Sequence, residues 1–155
     1  MSTIGQNEII LGQGIGEIKF GLTMDEVEAI MGKPEEVETS EEDEEFEYEV
    51  WNYWEEGYSF YFDEDDDYRL GLIETANEEV TLFGQKIFQM KQAEVEALLK
   101  SKGLSNPEKD TLETGEKHVT YEKEMLDMYF DKDALVNVKF GVFVGDDLEV
   151  QWPKL

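Results

Sequence analysis

The sequence predicts an α+β fold of two tandem helix-plus-three-strand repeats, which form an antiparallel sheet with both helices packed on one face. Two observations support this prediction. In the first half of the chain a capped helix is followed by three strand-like runs, and the same order returns 68 residues later. We expect one domain spanning residues 1–155, with repeats at about 15–77 and 83–145.

The chain opens with a glycine-rich segment, residues 12–16, that predicts a short turn joining two strands. This segment lacks the third glycine of a dinucleotide-binding loop. It also has no Gly-Lys-Ser/Thr sequence, which a phosphate-binding loop requires. Nucleotide binding is therefore not predicted here.

The first predicted helix begins after Thr23 and ends at Gly32. The Thr23 hydroxyl can accept a hydrogen bond from an unpaired N–H group of the first turn, and Glu26 completes a capping box. Gly32 favours the left-handed backbone that ends helices, and Pro34 cannot continue one. The apolar residues of this segment fall on one stripe: Leu22, Val27, Ile30 and Met31.

An acidic segment follows the helix, with ten acidic side chains among residues 35–49. Residues 38–45 contain no apolar side chain and predict a surface loop or the approach to a strand. Three strand-like runs come next, at residues 46–54, 58–62 and 68–72. They are rich in aromatic and β-branched residues and are separated by short polar turns, which indicates an antiparallel meander.

The second half repeats this pattern. When the chain is shifted by 68 residues, residues 26–29 fall on an identical stretch at 94–97, and residues 61–63 fall on an identical stretch at 129–131. One register therefore aligns a predicted helix and a predicted strand end, which indicates internal duplication. In the second half, Asn106-Pro107 and Thr114-Gly115 provide turns in place of the acidic loop.

The net charge of −26 restricts the partners of the chain. Residues 1–77 carry 3 basic and 23 acidic side chains, whereas residues 78–155 carry 10 basic and 16 acidic ones. Such a charge disfavours direct binding to nucleic acid or anionic membrane and favours a basic protein partner or a metal ion. The sequence has no cysteine, no basic-plus-apolar leader and no long apolar run, so we expect a cytoplasmic bacterial protein.

The segment Gly21-Leu22-Thr23-x-x-Glu26-Val27-x-x-Ile30-Met31-Gly32-x-Pro34 resembles the helix signature of the β-lactamase-inhibitor-like and outer-membrane-assembly lipoprotein superfamily. The resemblance covers the repeat unit twice. In the second copy Gln89 stands in place of Gly21 and Lys102 in place of Pro34, and the chain has no lipoprotein signal or lipid-bearing cysteine. The resemblance implies a binding module rather than an enzyme. Members of this superfamily use a concave sheet face and its loops to grip other proteins.

No residue pattern in the sequence indicates catalysis. The single histidine, His118, lies beside Lys117 at the start of a predicted strand and reads as an exposed strand residue. None of the serines lies in a nucleophile-elbow sequence, and the many carboxylates single out no acid–base pair. We therefore predict a protein that is not an enzyme.

One segment matches a calcium-binding loop in part. Asp63, Asp65, Asp67 and Glu74 occupy the first, third, fifth and twelfth positions of the template, where carboxylate ligands are expected. Tyr68 occupies the sixth position, where the sharp bend of the loop requires glycine. The segment is thus either a calcium site or an acidic hairpin turn, and no other cofactor is predicted.

The aromatic strands supply the candidate protein-binding site. Alternation places Tyr58, Phe60 and Phe62 on the face toward the helix. It leaves four aromatic residues for the other face: Tyr48, Trp54, Tyr61 and Tyr129. Nearby carboxylates would rim this face: Glu42, Asp43, Glu44, Glu45, Glu55 and Glu56. The rings are either binding residues or ordinary half-buried sheet residues.

From these patterns we predict a non-enzymatic, acidic protein-binding module. Exposed tryptophan and tyrosine side chains are frequent hot spots of interfaces, and surface charge accelerates the encounter with a partner of opposite charge. The most concrete version is an immunity or inhibitor protein that neutralises a basic toxin, for example a nuclease. The alternative is a calcium-binding protein that uses the loop from Asp63 to Glu74.

Overall fold

The computed structural model describes residues 7–40 and 47–153, and in these residues the protein is mostly β. Twelve strands form two sheets within the described part of the chain, and two α-helices accompany them. The strands are β1 (Glu8–Ile10), β2 (Gly14–Ile15), β3 (Ile18–Lys19), β4 (Glu36–Thr39), β5 (Tyr48–Tyr53), β6 (Tyr58–Asp63), β7 (Arg69–Thr75), β8 (Thr81–Leu82), β9 (Glu108–Thr111), β10 (Lys117–Tyr121), β11 (Leu126–Asp131) and β12 (Ala134–Gly141). The helices are α1 (Met24–Met31) and α2 (Gln92–Ser101).

The larger sheet has eight strands in the order β4-β5-β6-β7-β12-β11-β10-β9, and all neighbouring strands are antiparallel. Its two central strands, β7 and β12, come from different halves of the chain and pair directly. The smaller sheet has the order β3-β2-β1-β8, in which the β1–β8 pair is parallel. This small sheet joins the start of the chain to residues just before α2.

The predicted fold class is wrong. The described chain is a mostly β protein with sheets of four and eight strands, not an α+β arrangement of two helix-plus-three-strand repeats. Two kinds of strand were not predicted from the sequence pattern. The edge strands β4 and β9 are exposed at every residue, so they show no apolar alternation. The strands of the small sheet are two or three residues long, which is too short for a period to appear. The predicted domain limits stay a prediction.

One face of the eight-stranded sheet forms the floor of the core. A row of large side chains crosses it through direct cross-strand pairs: Trp51, Phe60, Ile73, Phe140, Leu126 and Tyr121. Val27 of α1, Val95 of α2 and Ile9 of the small sheet belong to the same buried cluster as this row. Both helices and the small sheet therefore cover one face of the large sheet and leave the other face outside the core.

The predicted cap of the first helix is confirmed. The Glu26 N–H donates to Thr23 Oγ1 at 3.2 Å, and the Thr23 N–H donates to Glu26 Oε1 at 2.9 Å. Gly32 ends α1 with φ +80°, in the region that favours glycine. The turn predicted in residues 12–16 is also present, because Gly12 adopts φ +77° between β1 and β2.

None of the helices in the described part of the chain is long and apolar enough to cross a lipid bilayer.

Removal of the Thr23 hydroxyl should destabilise the protein measurably. We expect Thr23→Ala to lower the free energy of unfolding by about 1 kcal/mol, because one N–H group of the first turn of α1 loses its acceptor. Urea denaturation followed by circular dichroism measures this difference. Thr23→Ser keeps the hydroxyl and should stay within a few tenths of a kcal/mol of the wild type. An equal loss in both variants would show that the methyl group, not the cap, is responsible.

Candidate functional site

The face of the large sheet opposite the core carries a continuous row of polar side chains, and we call it the polar face. Directly opposed residues on neighbouring strands project from the same side of a sheet. The register therefore aligns one polar residue from each of the eight strands: Glu36, Asn52, Ser59, Glu74, Lys139, Asp127, Thr120 and Glu108. On the six inner strands, each of these polar residues is the sequence neighbour of a residue in the buried row on the core face.

The most buried part of the polar face is a hydrogen-bonded pair, Asn52 and Ser59. Asn52 is 1% exposed and Ser59 is 8% exposed. The Ser59 hydroxyl donates to Asn52 Oδ1 at 2.5 Å, and Asn52 Nδ2 donates to Glu38 Oε2 at 2.8 Å and to Glu36 Oε1 at 3.1 Å. The side-chain amide of Asn52 therefore accepts through its oxygen and donates through its nitrogen, and the donated bonds hold two carboxylates of the edge strand β4 in place.

Glu74 forms a second hydrogen-bonded centre. Its Oε1 accepts from the Tyr61 hydroxyl at 2.7 Å, and its Oε2 accepts from Asn137 Nδ2 at 2.5 Å. Burial, followed by the hydrogen bond to Glu74, raises the pKa of Tyr61 far above its ordinary value, because both favour the protonated phenol. Lys139 Nζ lies 5.8 Å from the centroid of the Tyr61 ring. A lysine ammonium therefore already lies over one aromatic ring of this face.

A third polar group lies on β10 and β11. His118 Nε2 is 2.7 Å from Asp127 Oδ1, and the same oxygen accepts from the Thr120 hydroxyl at 2.8 Å. The His118 ring stacks on Tyr129 with centroids 4.6 Å apart. In a nucleophile–base–acid relay the acid and the hydroxyl bind different ring nitrogens. Here Asp127 and Thr120 both contact Nε2, so this group does not have the geometry of a catalytic triad.

Two clefts open on the polar face beside the first two of these centres. The first has a volume of ≈ 340 Å³, and Trp54, Tyr61, Glu38 and Glu74 are among its lining residues. The second has a volume of ≈ 350 Å³ and is lined by Glu38, Tyr48, Val50, Tyr61 and Asp63. Because Glu38 and Tyr61 line both, the two clefts meet at these side chains.

The four aromatic residues predicted for this face all lie on it. Trp54 is 58% exposed and borders the first cleft, and Tyr48 borders the second. Tyr61 and Tyr129 are half-buried. Burial raises the pKa of both phenols, followed by the hydrogen bond to Glu74 for Tyr61 and by the charges of Asp127 and then Glu74 for Tyr129. Their role in protein binding stays a prediction.

The structure describes two of the six residues predicted for the acidic rim, Glu55 and Glu56. Glu42, Asp43, Glu44 and Glu45 lie outside the described residues. Glu55 and Glu56 lie in the turn that follows β5, directly after Trp54. The exposed Glu55 donates its backbone N–H to Glu35 Oε1 at 3.0 Å, while the backbone carbonyl of Glu56 accepts from Asn77 Nδ2 at 2.8 Å.

The four residues of the predicted calcium loop are not brought together. Asp63 ends β6, Asp65 lies in a turn of 3₁₀ helix, and Asp67 follows it in the left-handed conformation. Glu74 lies five residues along β7 from Arg69, the cross-strand partner of Asp63, which separates it from the turn by about 16 Å. Within residues 7–40 and 47–153 no group of three or more histidine, aspartate or glutamate side chains is arranged to hold a metal ion.

Sequence reasoning missed the hydrogen-bonded centres. Asn52 and Ser59 stand at equal distances from the turn between β5 and β6, so hairpin register could have paired them. The contact of Glu74 with Asn137 joins strands 63 residues apart, and nothing in the local sequence signals it. His118 read as an exposed residue because its partner on β11 depends on the same kind of register.

The buried hydrogen bond from Ser59 to the side-chain amide of Asn52 predicts that loss of the Ser59 hydroxyl destabilises the protein. We expect Ser59→Ala to lower the free energy of unfolding by about 1–3 kcal/mol, because Asn52 Oδ1 is left buried without its donor. Thermal and urea denaturation measure this loss. Thr120→Ala removes a hydroxyl from the same polar row but leaves His118 bonded to Asp127, so its cost should stay below about 1 kcal/mol. Equal losses would contradict a special role for the buried pair.

The acidic turn predicts a pH-dependent effect at Asp66. Burial, then the charges of Asp63, Asp65 and Asp67, raises the pKa of Asp66. The charged form is therefore unfavourable in the folded state, and Asp66→Asn should raise the Tm at pH 7 by about 1–3 °C after solvent screening. The wild type regains this stability as the pH falls through the raised pKa, so the difference should close in acid.

Calorimetry across pH 3–8 tests the Asp66 prediction. Asp131→Asn at the end of β11 provides a matched control, because it removes the same charge away from the acidic turn. If Asp131→Asn stabilises as much as Asp66→Asn, the general charge of the chain, and not this turn, accounts for the effect.

No protein-family model and no curated protein matches the chain. Among solved structures, an extracellular protein containing a SCP domain from Bacillus anthracis str. Ames is 20% identical with a TM-score of 0.50, over 79% of this chain and 44% of that one. A DUF4309 family protein (YjgB) from Bacillus subtilis subsp. subtilis str. 168 is 16% identical with a TM-score of 0.48, over 84% and 88% of the two chains. The chain spans less than half of the first protein, and the likeness to that protein concerns the fold alone.

Proposed function

We propose that this protein is a non-enzymatic binding module whose polar face docks a basic protein partner. The observation that carries the proposal is Trp54, an indole that is 58% exposed at the border of a cleft containing two carboxylates. Tryptophan is enriched among the hot spots of protein interfaces, and polar and charged groups typically form the surrounding rim.

The charge of the polar face supports a basic partner. Among the described residues, the ion pairs are Lys86–Glu79, Lys109–Glu96 and His118–Asp127. Glu36, Glu38 and Glu74 belong to none of these pairs, and Lys139 is the cross-strand neighbour of Glu74. With a net charge of −26 the protein repels phosphate-rich partners and attracts basic ones over distances of about a Debye length.

The hydrogen bonds beneath the clefts support binding rather than a solvent-exposed surface of no function. Asn52 holds Glu36 and Glu38, and Tyr61 and Asn137 hold Glu74. Side chains fixed before binding lose less conformational entropy when a partner arrives. The polar face therefore offers both a hydrophobic contact and oriented acceptors at little entropic cost.

The form of this function that we favour is an immunity or inhibitor protein for a basic enzyme, for example a nuclease toxin. Carboxylates on the polar face would take the positions of nucleic-acid phosphates and block the active site of the toxin. The sequence resemblance to the β-lactamase-inhibitor-like superfamily agrees with this form, because its members grip other proteins through a sheet face.

Replacement of Trp54 tests the proposed face. We expect Trp54→Ala to weaken partner binding roughly 30-fold or more, as removal of a hot-spot tryptophan does. The free energy of unfolding should change by less than about 0.5 kcal/mol, because the side chain is exposed. Trp152→Ala is the matched control, since Trp152 is 37% exposed and lies in the C-terminal segment outside both clefts.

The experiment is affinity capture from extracts of the encoding organism on immobilised wild type, Trp54→Ala and Trp152→Ala proteins. The captured protein is then purified and its affinity is measured by calorimetry at low and high salt. A basic protein that binds the wild type and Trp152→Ala, and that is lost with Trp54→Ala and at high salt, is expected. Equal binding to all three proteins, or capture of only acidic proteins, would overturn the proposal.

A further inference from the structure

We propose that the cleft between Trp54 and Glu74 is an arginine-binding site, which receives one guanidinium group of the basic partner. This inference rests on the proposed function and specifies its chemistry. The residues that would recognise the cation are Glu38, Glu74, Trp54 and Tyr61, all of which line the ≈ 340 Å³ cleft.

The carboxylates of the cleft retain capacity for a donor-rich ligand. A carboxylate offers about four acceptor positions. Glu74 accepts two hydrogen bonds, from Tyr61 and Asn137, and Glu38 accepts one from Asn52. Guanidinium carries five N–H donors in a planar fork and can bind carboxylates through two parallel hydrogen bonds. It therefore matches the acceptors that the cleft leaves open.

The aromatic side chains favour the same group. Trp54 and Tyr61 line the cleft together with the carboxylates, and a planar cation gains by stacking on aromatic faces. The Tyr61 ring already lies close to one cation, because Lys139 Nζ is 5.8 Å from the ring centroid. Lys139 is also the direct cross-strand neighbour of Glu74, and its charge opposes the arrival of a second cation.

Other ligands fit this cleft less well. An anion would meet two carboxylates. The carboxylates also belong to no metal-holding group among the described residues, and Glu74 directs both its oxygens toward Tyr61 and Asn137. A cation with several N–H donors can use the remaining acceptor positions of both carboxylates at once, whereas a metal ion needs six or more oxygen ligands or a fixed cage that these two carboxylates do not provide.

The test needs no partner protein. The peptide acetyl-Gly-Arg-Gly-amide is titrated into the ¹⁵N-labelled protein, and the indole N–H signal of Trp54 is followed by NMR. Identical peptides with lysine or with citrulline, a neutral isostere of arginine, are the comparison ligands. We expect a saturable shift with arginine at roughly millimolar Kd, a weaker one with lysine, and none with citrulline.

Charge variants locate the site. Glu38→Gln and Glu74→Gln should each weaken arginine binding about threefold to tenfold, and Lys139→Gln should strengthen it by a similar factor. Glu108→Gln removes the same charge from the same polar row at the opposite edge of the sheet, so it should leave the affinity nearly unchanged. Equal shifts with citrulline, or equal losses in Glu38→Gln and Glu108→Gln, would overturn the arginine site.

The two proposals fail separately. If arginine peptide does not bind the cleft while a basic protein is still captured through Trp54, the arginine site is wrong and the binding module stands. If the peptide binds as expected while Trp54→Ala captures the same proteins as the wild type, the site stands and the proposed partner is wrong.

Discussion

The pairing of β7 with β12 is the contact on which the rest of the structure depends. These strands come from different halves of the chain, and their four register pairs join two groups of four strands into one sheet. On one side the pairing places Ile73 beside Phe140 in the core. On the other side it places Glu74 within reach of Asn137. A single run of backbone hydrogen bonds thus completes both the hydrophobic core and the polar centre of the candidate site.

The sequence predicted those parts of the fold that depend on local chemistry. The capping box of Thr23 and Glu26 is visible in four residues, and inner strands such as β11 are indicated by apolar side chains at every second residue. The predicted overall class was wrong. Edge strands bury no side chain, so β4 and β9 look like loops. The parallel contact of β1 with β8 joins residues more than 70 positions apart, and no local period can reveal such a contact.

The candidate site was also predicted only in part. Alternation predicted the face of Tyr61 and Tyr129, because each is one residue away from a buried core position. It could not predict what those side chains touch. The partner of Tyr61 is set by the register of β6 against β7, which contains a shift between Tyr61 and Phe62. The four residues of the calcium template are likewise divided between a turn and an extended strand, and calcium binding stays a prediction.

The acidic side chains of the large sheet also lie along its two edge strands. Among the described residues, β4 and β9 each pair on one side only, and the free side of an edge strand is a template for addition of strands from other molecules. Glu36 and Glu38 place negative charge along β4, and Glu108 and Asp110 do so along β9, so like edges repel each other. Glu38 also lines both clefts. A basic partner that neutralises this carboxylate would also weaken the barrier to edge-to-edge polymerisation, which couples recognition to the solubility of the sheet.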